Sequence, residues 1–95
     1  VLINNDGGGI FHMLPIADFD PPFTEQFKTP HGLDFEPTGG LYDLAFTRTT
    51  PAEFPRKFAE SLETSGSAVL EVRTDAEASH RERKALEREV IDSLA

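Results

Sequence analysis

The chain has 95 residues, 38% of them hydrophobic, which is enough for one small domain with a modest buried core. Its formal net charge of −8 disfavours nucleic acid and anionic membranes as partners, because both select clusters of Lys and Arg. The sequence has no cysteine, no apolar run of membrane-spanning length and no secretory signal, so we expect a cytoplasmic protein without disulfides.

The first element is a short apolar run, residues 1–3, which predicts a strand buried on both faces of a parallel sheet. Two asparagines, an aspartate and the three glycines at 7–9 follow it directly. In open α/β sheets ligands bind just beyond the strand ends, and glycines let the backbone approach a ligand closely. Asn5 offers a neutral oxygen to a hard cation. We therefore expect a ligand site at this strand end.

Two short helical segments are predicted next. In the first, Asp20 is the expected N-cap and Pro21 the first helical residue, and aromatic rings recur every four residues at Phe19, Phe23 and Phe27. The second segment, residues 34–44, starts at Asp34 but contains a proline and two glycines, which oppose a helix.

The rest of the chain alternates between strands and helices. Residues 45–49 and 68–72 read as strands, the first of them nearer a sheet edge. Capping-box patterns at 50–53 and 74–77 predict the starts of two helices. Their expected buried stripes are Phe54, Phe58 and Leu62 in one, and Leu86, Val90 and Leu94 in the other. This order predicts an α/β fold of about three parallel strands with flanking helices in three layers.

Three blocks carry a resemblance to a known family: residues 4–11 (NNDGGGIF), 29–35 (TPHGLDF) and 71–75 (EVRTD). In this order they resemble the C-terminal part of 2-succinyl-5-enolpyruvyl-6-hydroxy-3-cyclohexene-1-carboxylate synthase. The resemblance covers essentially the whole chain. It implies that residues 1–95 are the C-terminal part of a thiamine-diphosphate-binding domain whose upstream domains lie outside this sequence.

The resemblance also implies a site. Asn5 and Gly7 match the family's ligands for Mg²⁺, with Mn²⁺ as a substitute, while Gly8, Gly9 and Ile10 match positions around thiamine diphosphate. Phe11 and Leu14 match positions of the apolar wall beside the substrate. No Gly-Asp motif precedes Asn4, so the family's third metal ligand is missing from this chain.

By resemblance, the complete enzyme decarboxylates 2-oxoglutarate and adds the four-carbon product to isochorismate in menaquinone or phylloquinone biosynthesis. We expect it to be a homodimer or homotetramer whose second subunit completes the cofactor site. No catalytic residue is assigned in this chain, and because its cofactor site is incomplete, the chain alone is expected to be inactive. We also expect it to associate through its uncovered sheet edges or to be only marginally stable.

Two other functions fit the residues. One is a different thiamine-diphosphate carboligase or decarboxylase, similar to acetolactate synthase. The other is a non-catalytic acidic α/β module that binds other proteins. A dinucleotide site is disfavoured, because residues 6–11 (DGGGIF) do not have the G-x-G-x-x-G spacing.

Overall fold

The computed structural model describes residues 1–95 and contains three strands and three α-helices. The strands are β1 (Leu2–Asn4), β2 (Ala45–Thr49) and β3 (Ala68–Arg73), and the α-helices are α1 (Pro37–Tyr42), α2 (Phe54–Glu63) and α3 (Ala76–Leu94). Two 3₁₀ segments, Gly9–Met13 and Pro15–Asp18, and one π-helical segment, Phe23–Lys28, lie between β1 and α1. None of the helices combines the length and the apolar composition that crossing a bilayer requires.

The chain divides into two compact units. The sheet unit comprises Val1–Asn4 and Gly32–Thr74, and the loop–helix unit comprises Asn5–His31 and Asp75–Ala95. Each unit is therefore built from two stretches that are distant in sequence. The boundary after Asn4 falls between the two asparagines that follow the first apolar run.

The sheet unit contains an open parallel sheet in the order β1-β3-β2, as the strand and helix alternation predicts. Glu71 of β3 pairs with Leu2 of β1 and with Arg48 of β2. Since β3 lies between the other two strands, its Leu70 and Val72 are buried, with 6% and 9% of their surface exposed.

The expectation for β1 is wrong on one point. Val1 and Ile3 are each 68% exposed, and β1 lies at an edge of the sheet rather than within it. The side chains of a strand point to the two faces of the sheet, so an apolar strand is buried only where another layer packs on those faces. The edge position expected for β2 is confirmed.

Side-chain hydrogen bonds lie just before both helices of the sheet unit, although the N-cap residues Glu36 and Glu53 make no side-chain capping bond themselves. The Asp34 carboxylate accepts a hydrogen bond from the Glu36 amide at 3.0 Å just before α1, which forms despite its two glycines. Before α2, the Thr50 hydroxyl accepts from the Glu53 amide at 3.3 Å, while the Glu53 carboxylate accepts from the Thr50 hydroxyl at 3.0 Å. The expected capping box is thus confirmed.

The loop–helix unit is centred on Phe23, which is 3% exposed and packs edge-to-face against His12 with ring centroids 4.9 Å apart. Asp20 is not the N-cap that the sequence predicts, because the N-cap is Pro22, but its carboxylate accepts hydrogen bonds from the amide and the hydroxyl of Thr24. The helix itself differs from the prediction: it begins at Phe23 rather than Pro21, and Phe19 is 62% exposed.

Helix α3 begins one residue later than its sequence pattern indicates. The N-cap is Asp75, whose carboxylate accepts a hydrogen bond from the Ala78 amide at 2.9 Å, and not Thr74. This hydrogen bond holds the pKa of Asp75 below its ordinary value. Both residues are good N-caps, and sequence patterns place helix ends within one or two residues.

The apolar stripes expected to be buried on α2 and α3 are exposed over most of their length. The exposed members are Phe58 (40%), Leu62 (71%), Leu86 (61%), Val90 (51%) and Leu94 (82%). A hydrophobic stripe records which face of a helix favours contact, but burial depends on a partner surface being present.

Candidate functional site

The loop that follows β1 is a tight turn held by its own hydrogen bonds. The Asn5 side-chain oxygen accepts from the Gly7 amide at 3.2 Å, and the Gly7 carbonyl accepts from the Gly9 amide at 2.6 Å. Asp6 and Gly7 both have positive φ, of 62° and 132°. The short Asn and Asp side chains and the glycine are suited to such a turn, since they tolerate or stabilise these backbone conformations.

The glycines are required because this turn packs closely against the rest of its unit. A Cβ on Gly7 would lie 2.6 Å from the Lys28 carbonyl oxygen, and one on Gly8 would lie 2.7 Å from the Phe11 ring. A Cβ on Gly9 would lie 2.8 Å from that of Ala76. The space left by the missing side chains is therefore filled by the protein itself.

The turn carries the two oxygens that the family resemblance assigns to a metal. The Asn5 amide oxygen and the Gly7 carbonyl each accept one hydrogen bond, and an oxygen of this kind has two lone pairs. Both are neutral hard donors of the kind that Mg²⁺ accepts. The residues present fit a partial magnesium shell, to which other oxygens must be added.

Acidic ligands for such an ion are not gathered in this chain. Asp6 faces His31, whose Nδ1 lies 3.5 Å from the Asp6 carboxylate and whose amide donates to the Asp6 carbonyl. The structure contains no group of three or more His, Cys, Asp or Glu side chains that could hold a metal. Asp6 thus joins the glycine turn to the residue that opens the HGLDF block.

The three apolar residues assigned to the cofactor or the substrate, Ile10, Phe11 and Leu14, have different surroundings. Ile10 is 70% and Leu14 44% exposed, so both present apolar surface to solvent. Phe11 is half-buried and packs edge-to-face on Phe27, with ring centroids 5.8 Å apart. Phe11 therefore has a packing role within its unit, and Ile10 and Leu14 are the freer apolar groups.

A cleft of about 560 Å³ lies beside Leu14 in the loop–helix unit. Three cationic side chains line it, and so do three acidic ones: Lys28, Arg81 and Lys84, with Asp18, Asp20 and Glu77. His80 also lines the cleft, and burial together with the charges of Arg83 and Lys84 lowers its pKa. Because the formal charges cancel, the cleft provides no net positive charge for a substrate carboxylate.

A polar network that sequence reasoning missed lies at the carboxyl end of the sheet. Glu71 is fully buried, with 0% of its surface exposed. One of its oxygens accepts from Nδ2 of Asn4 at 3.2 Å, and the other accepts from Nε of Arg48 at 3.0 Å and Nε of Arg73 at 3.3 Å. Arg48 also forms ion pairs with Asp34 and Glu36.

Burial and pairing act on Glu71 in opposite directions. Burial by itself raises the pKa of Glu71, but the hydrogen bonds from Asn4 and Arg48 and the charge of Arg73 outweigh it. The pKa consequently lies below its ordinary value of 4.5, and Glu71 is ionised at neutral pH. A glutamate inside the apolar strand at 68–72 was the signal in the sequence, because a buried carboxylate needs partners.

Comparison with known proteins gives a consistent answer. The chain is 64% identical over 87 residues to a protein of Halobacterium salinarum, 60% over 97 residues to one of Haloquadratum walsbyi, and 49% over 89 residues to one of Roseiflexus sp.. These alignments include 90%, 99% and 93% of this chain. All three relatives are named 2-succinyl-5-enolpyruvyl-6-hydroxy-3-cyclohexene-1-carboxylate synthase.

The chain belongs to this synthase family. It spans only 15–16% of the length of these relatives. No protein-family model matches it. The resemblance carried by the three sequence blocks is confirmed.

Proposed function

We propose that residues 1–95 are the C-terminal part of the cofactor-binding domain of a thiamine-diphosphate- and Mg²⁺-dependent synthase. The complete enzyme would decarboxylate 2-oxoglutarate and add the remaining four carbons to isochorismate, in menaquinone or phylloquinone biosynthesis. The observation that carries this proposal is the identity of 49–64% to relatives named for that product. The turn geometry at Asn5 and Gly7 supports it.

In this proposal the residues of the turn have separate tasks. The Asn5 side-chain oxygen and the Gly7 carbonyl hold Mg²⁺ for the cofactor's diphosphate, because both have a lone pair beyond the one used within the turn. Ile10 and Leu14 supply exposed apolar surface that excludes water. Bound thiamine diphosphate would supply the carbanion-stabilising chemistry, as cofactors of this class do.

The remaining parts of the site would come from outside this chain. Two neutral oxygens do not complete a magnesium shell, and the cleft charges cancel, so the further ligands and the cations for the substrate carboxylates must lie elsewhere. We propose upstream domains and a second subunit of a homodimer or homotetramer as their source. On this proposal residues 1–95 alone have no activity.

The first test uses the full-length protein that carries this chain. Asn5→Ala should weaken Mg²⁺-dependent binding of thiamine diphosphate, measured by calorimetry, by about ten-fold or more, because a metal ligand is lost. Asn5→Asp is the matched variant, since it keeps an oxygen at the same place and should retain most of the affinity. Equal cofactor affinity in wild type and Asn5→Ala would refute the ligand assignment.

Substrate choice separates the remaining functions. The unmodified full-length protein should consume isochorismate together with 2-oxoglutarate and should not use pyruvate. Turnover of pyruvate alone would favour an acetolactate-synthase-like enzyme. Absence of any cofactor binding would favour the non-catalytic interaction module.

A further inference from the structure

Glu71 is the only side chain of its size that is fully buried, and it is charged. A buried carboxylate is costly unless cations and hydrogen-bond donors surround it, and the cost is of the order of several kcal/mol for an unpaired ion. Arg48 and Arg73 supply the cations. Charge balance alone therefore does not account for the third partner, the uncharged amide of Asn4.

Asn4 is hydrogen-bonded both to β3 and to Thr74, the residue that follows this strand. Its side-chain amide donates to Glu71 at 3.2 Å, and its carbonyl accepts from the Thr74 amide at 2.9 Å. Only 9% of Asn4 is exposed. Asn4 is also the last residue of β1, and the proposed metal ligand Asn5 is bonded directly to it.

We infer that Glu71 is a positioning residue, which holds the Asn4 side chain and thereby restrains the backbone of Asn4, the residue covalently bonded to Asn5. The part of this inference that concerns metal binding rests on the proposed function. Glu71 is not among the residues proposed to hold the ion or the cofactor. It acts through Asn4, as residues behind a metal ligand commonly do when they orient it.

Two further contacts of the Arg48 guanidinium strengthen this assignment. Arg48 ties Glu71 to Asp34 and Glu36, so the carboxylate is itself held from β2 and from the segment before α1. The Glu71 side chain consequently has little freedom to turn away from Asn4. A hydrogen bond to such a fixed acceptor orients its donor more strongly than a hydrogen bond to a mobile surface carboxylate.

The test compares Glu71→Gln with the wild type in the full-length protein, without cofactor and then with thiamine diphosphate. Without cofactor, amide hydrogen exchange at Gly7 and Thr74 should be about ten-fold faster in the variant, because these amides report on the turn and on the Asn4 carbonyl. With cofactor, Mn²⁺ binding followed by electron paramagnetic resonance should be about ten-fold weaker.

Glu60→Gln is the matched control. Glu60 forms an exposed ion pair with Arg56 at 2.6 Å in the same unit. The control therefore makes the same Glu→Gln change in an Arg–Glu pair that does not involve Asn4. Both readouts should match the wild type. Unchanged exchange and unchanged Mn²⁺ affinity in Glu71→Gln would overturn the positioning role.

A double-mutant cycle with Asn4→Ala separates positioning from simple loss of stability. If Glu71 acts through Asn4, the two substitutions weaken Mn²⁺ binding by less together than the product of their separate effects. Independent, multiplicative effects would contradict the inference. If Glu71→Gln fails to fold, Asn4→Ala decides, since it keeps the Glu71–Arg48 pair and must still loosen the turn.

The two proposals can fail separately. A wild-type protein that binds no Mn²⁺ with thiamine diphosphate would refute the proposed function, and the exchange data would still decide whether Glu71 positions the turn. Normal cation binding in the wild type, together with unchanged exchange and unchanged cation binding in Glu71→Gln, would refute the positioning role alone.

Discussion

Each unit of the chain contains an Arg–Glu pair with nearly the same distance between nitrogen and oxygen. In the sheet unit, Nε of Arg48 lies 3.0 Å from Glu71, and in the loop–helix unit Nη1 of Arg81 lies 3.1 Å from Glu77. The Glu71 side chain is 0% exposed, whereas that of Glu77 is 64% exposed. Water competes with the second pair and cannot reach the carboxylate of the first.

This comparison shows that distance alone does not measure the importance of an ion pair. An exposed i,i+4 pair contributes little, because solvent and salt screen it and both side chains lose freedom. A buried carboxylate that loses its cation is left without solvent as well. Substitutions in the Arg48–Glu71 pair should therefore lower the free energy of unfolding, and substitutions in the Arg81–Glu77 pair should not.

The largest effect is expected from Arg48→Met. Removing the nearest cation leaves Glu71 buried with only Asn4 and Arg73 as partners, and this loss should lower the free energy of unfolding by up to about 3 kcal/mol. Denaturant unfolding of the full-length protein measures this. Arg81→Met is the control, and an equal loss in both variants would refute the difference between the pairs.

The pH dependence sharpens the same comparison. The pKa of Glu71 is lowered from 4.5 in the folded protein, so its stabilising contribution is present above pH 4.5 and is lost as the pH falls below that value. In Arg48→Met burial is less opposed, so the pKa of Glu71 should rise. The stability difference between wild type and variant should shrink below pH 4.5.

A second contrast uses glycines from the two units. Gly7→Ala should destabilise by roughly 2–3 kcal/mol, because its φ is 132° and the new Cβ would lie 2.6 Å from the Lys28 carbonyl oxygen. Gly40→Ala in α1 meets no atom within 4 Å and should stabilise by about 0.5–1 kcal/mol. Unfolding free energies of both variants check this, and equal signs would contradict it.

The smallest effect concerns the start of α3. Asp75→Ala removes the acceptor of the Ala78 amide, and the exchange of that amide should become about five-fold faster, as for loss of a typical N-cap. Thr74→Ala, which the capping-box pattern would favour as the damaging change, should leave this amide unaltered. Faster exchange in Thr74→Ala alone would restore the sequence-based assignment.

Much of the fold could be predicted from local patterns. The strand at Ala45–Thr49 and the capping-box hydrogen bonds at Thr50 depend on residues close in sequence, and the structure confirms both. The turn of the candidate site could also be predicted from local sequence, because two asparagines and three glycines constrain the backbone there. Its use for a metal and a cofactor remains a prediction.

The errors have a common origin in contacts that a local pattern does not contain. Ile3, Leu62 and Leu94 are apolar residues in regular elements, yet they are exposed because no partner surface covers them here. The polar network around Glu71 was missed because it depends on residues that are distant in sequence. Its partners Asn4 and Arg48 are 67 and 23 residues away along the chain.

By itself the sequence determined the order of strands and helices, the parallel sheet, the glycine turn and the family, since these depend on periodicity, local hydrogen bonds and residue order. The tertiary structure alone decided that β3 is central, that Glu71 is buried, and that Asn4, Arg48 and Arg73 meet on its carboxylate. Strand pairing joins residues that are distant in sequence, and burial is a property of that pairing rather than of any one segment.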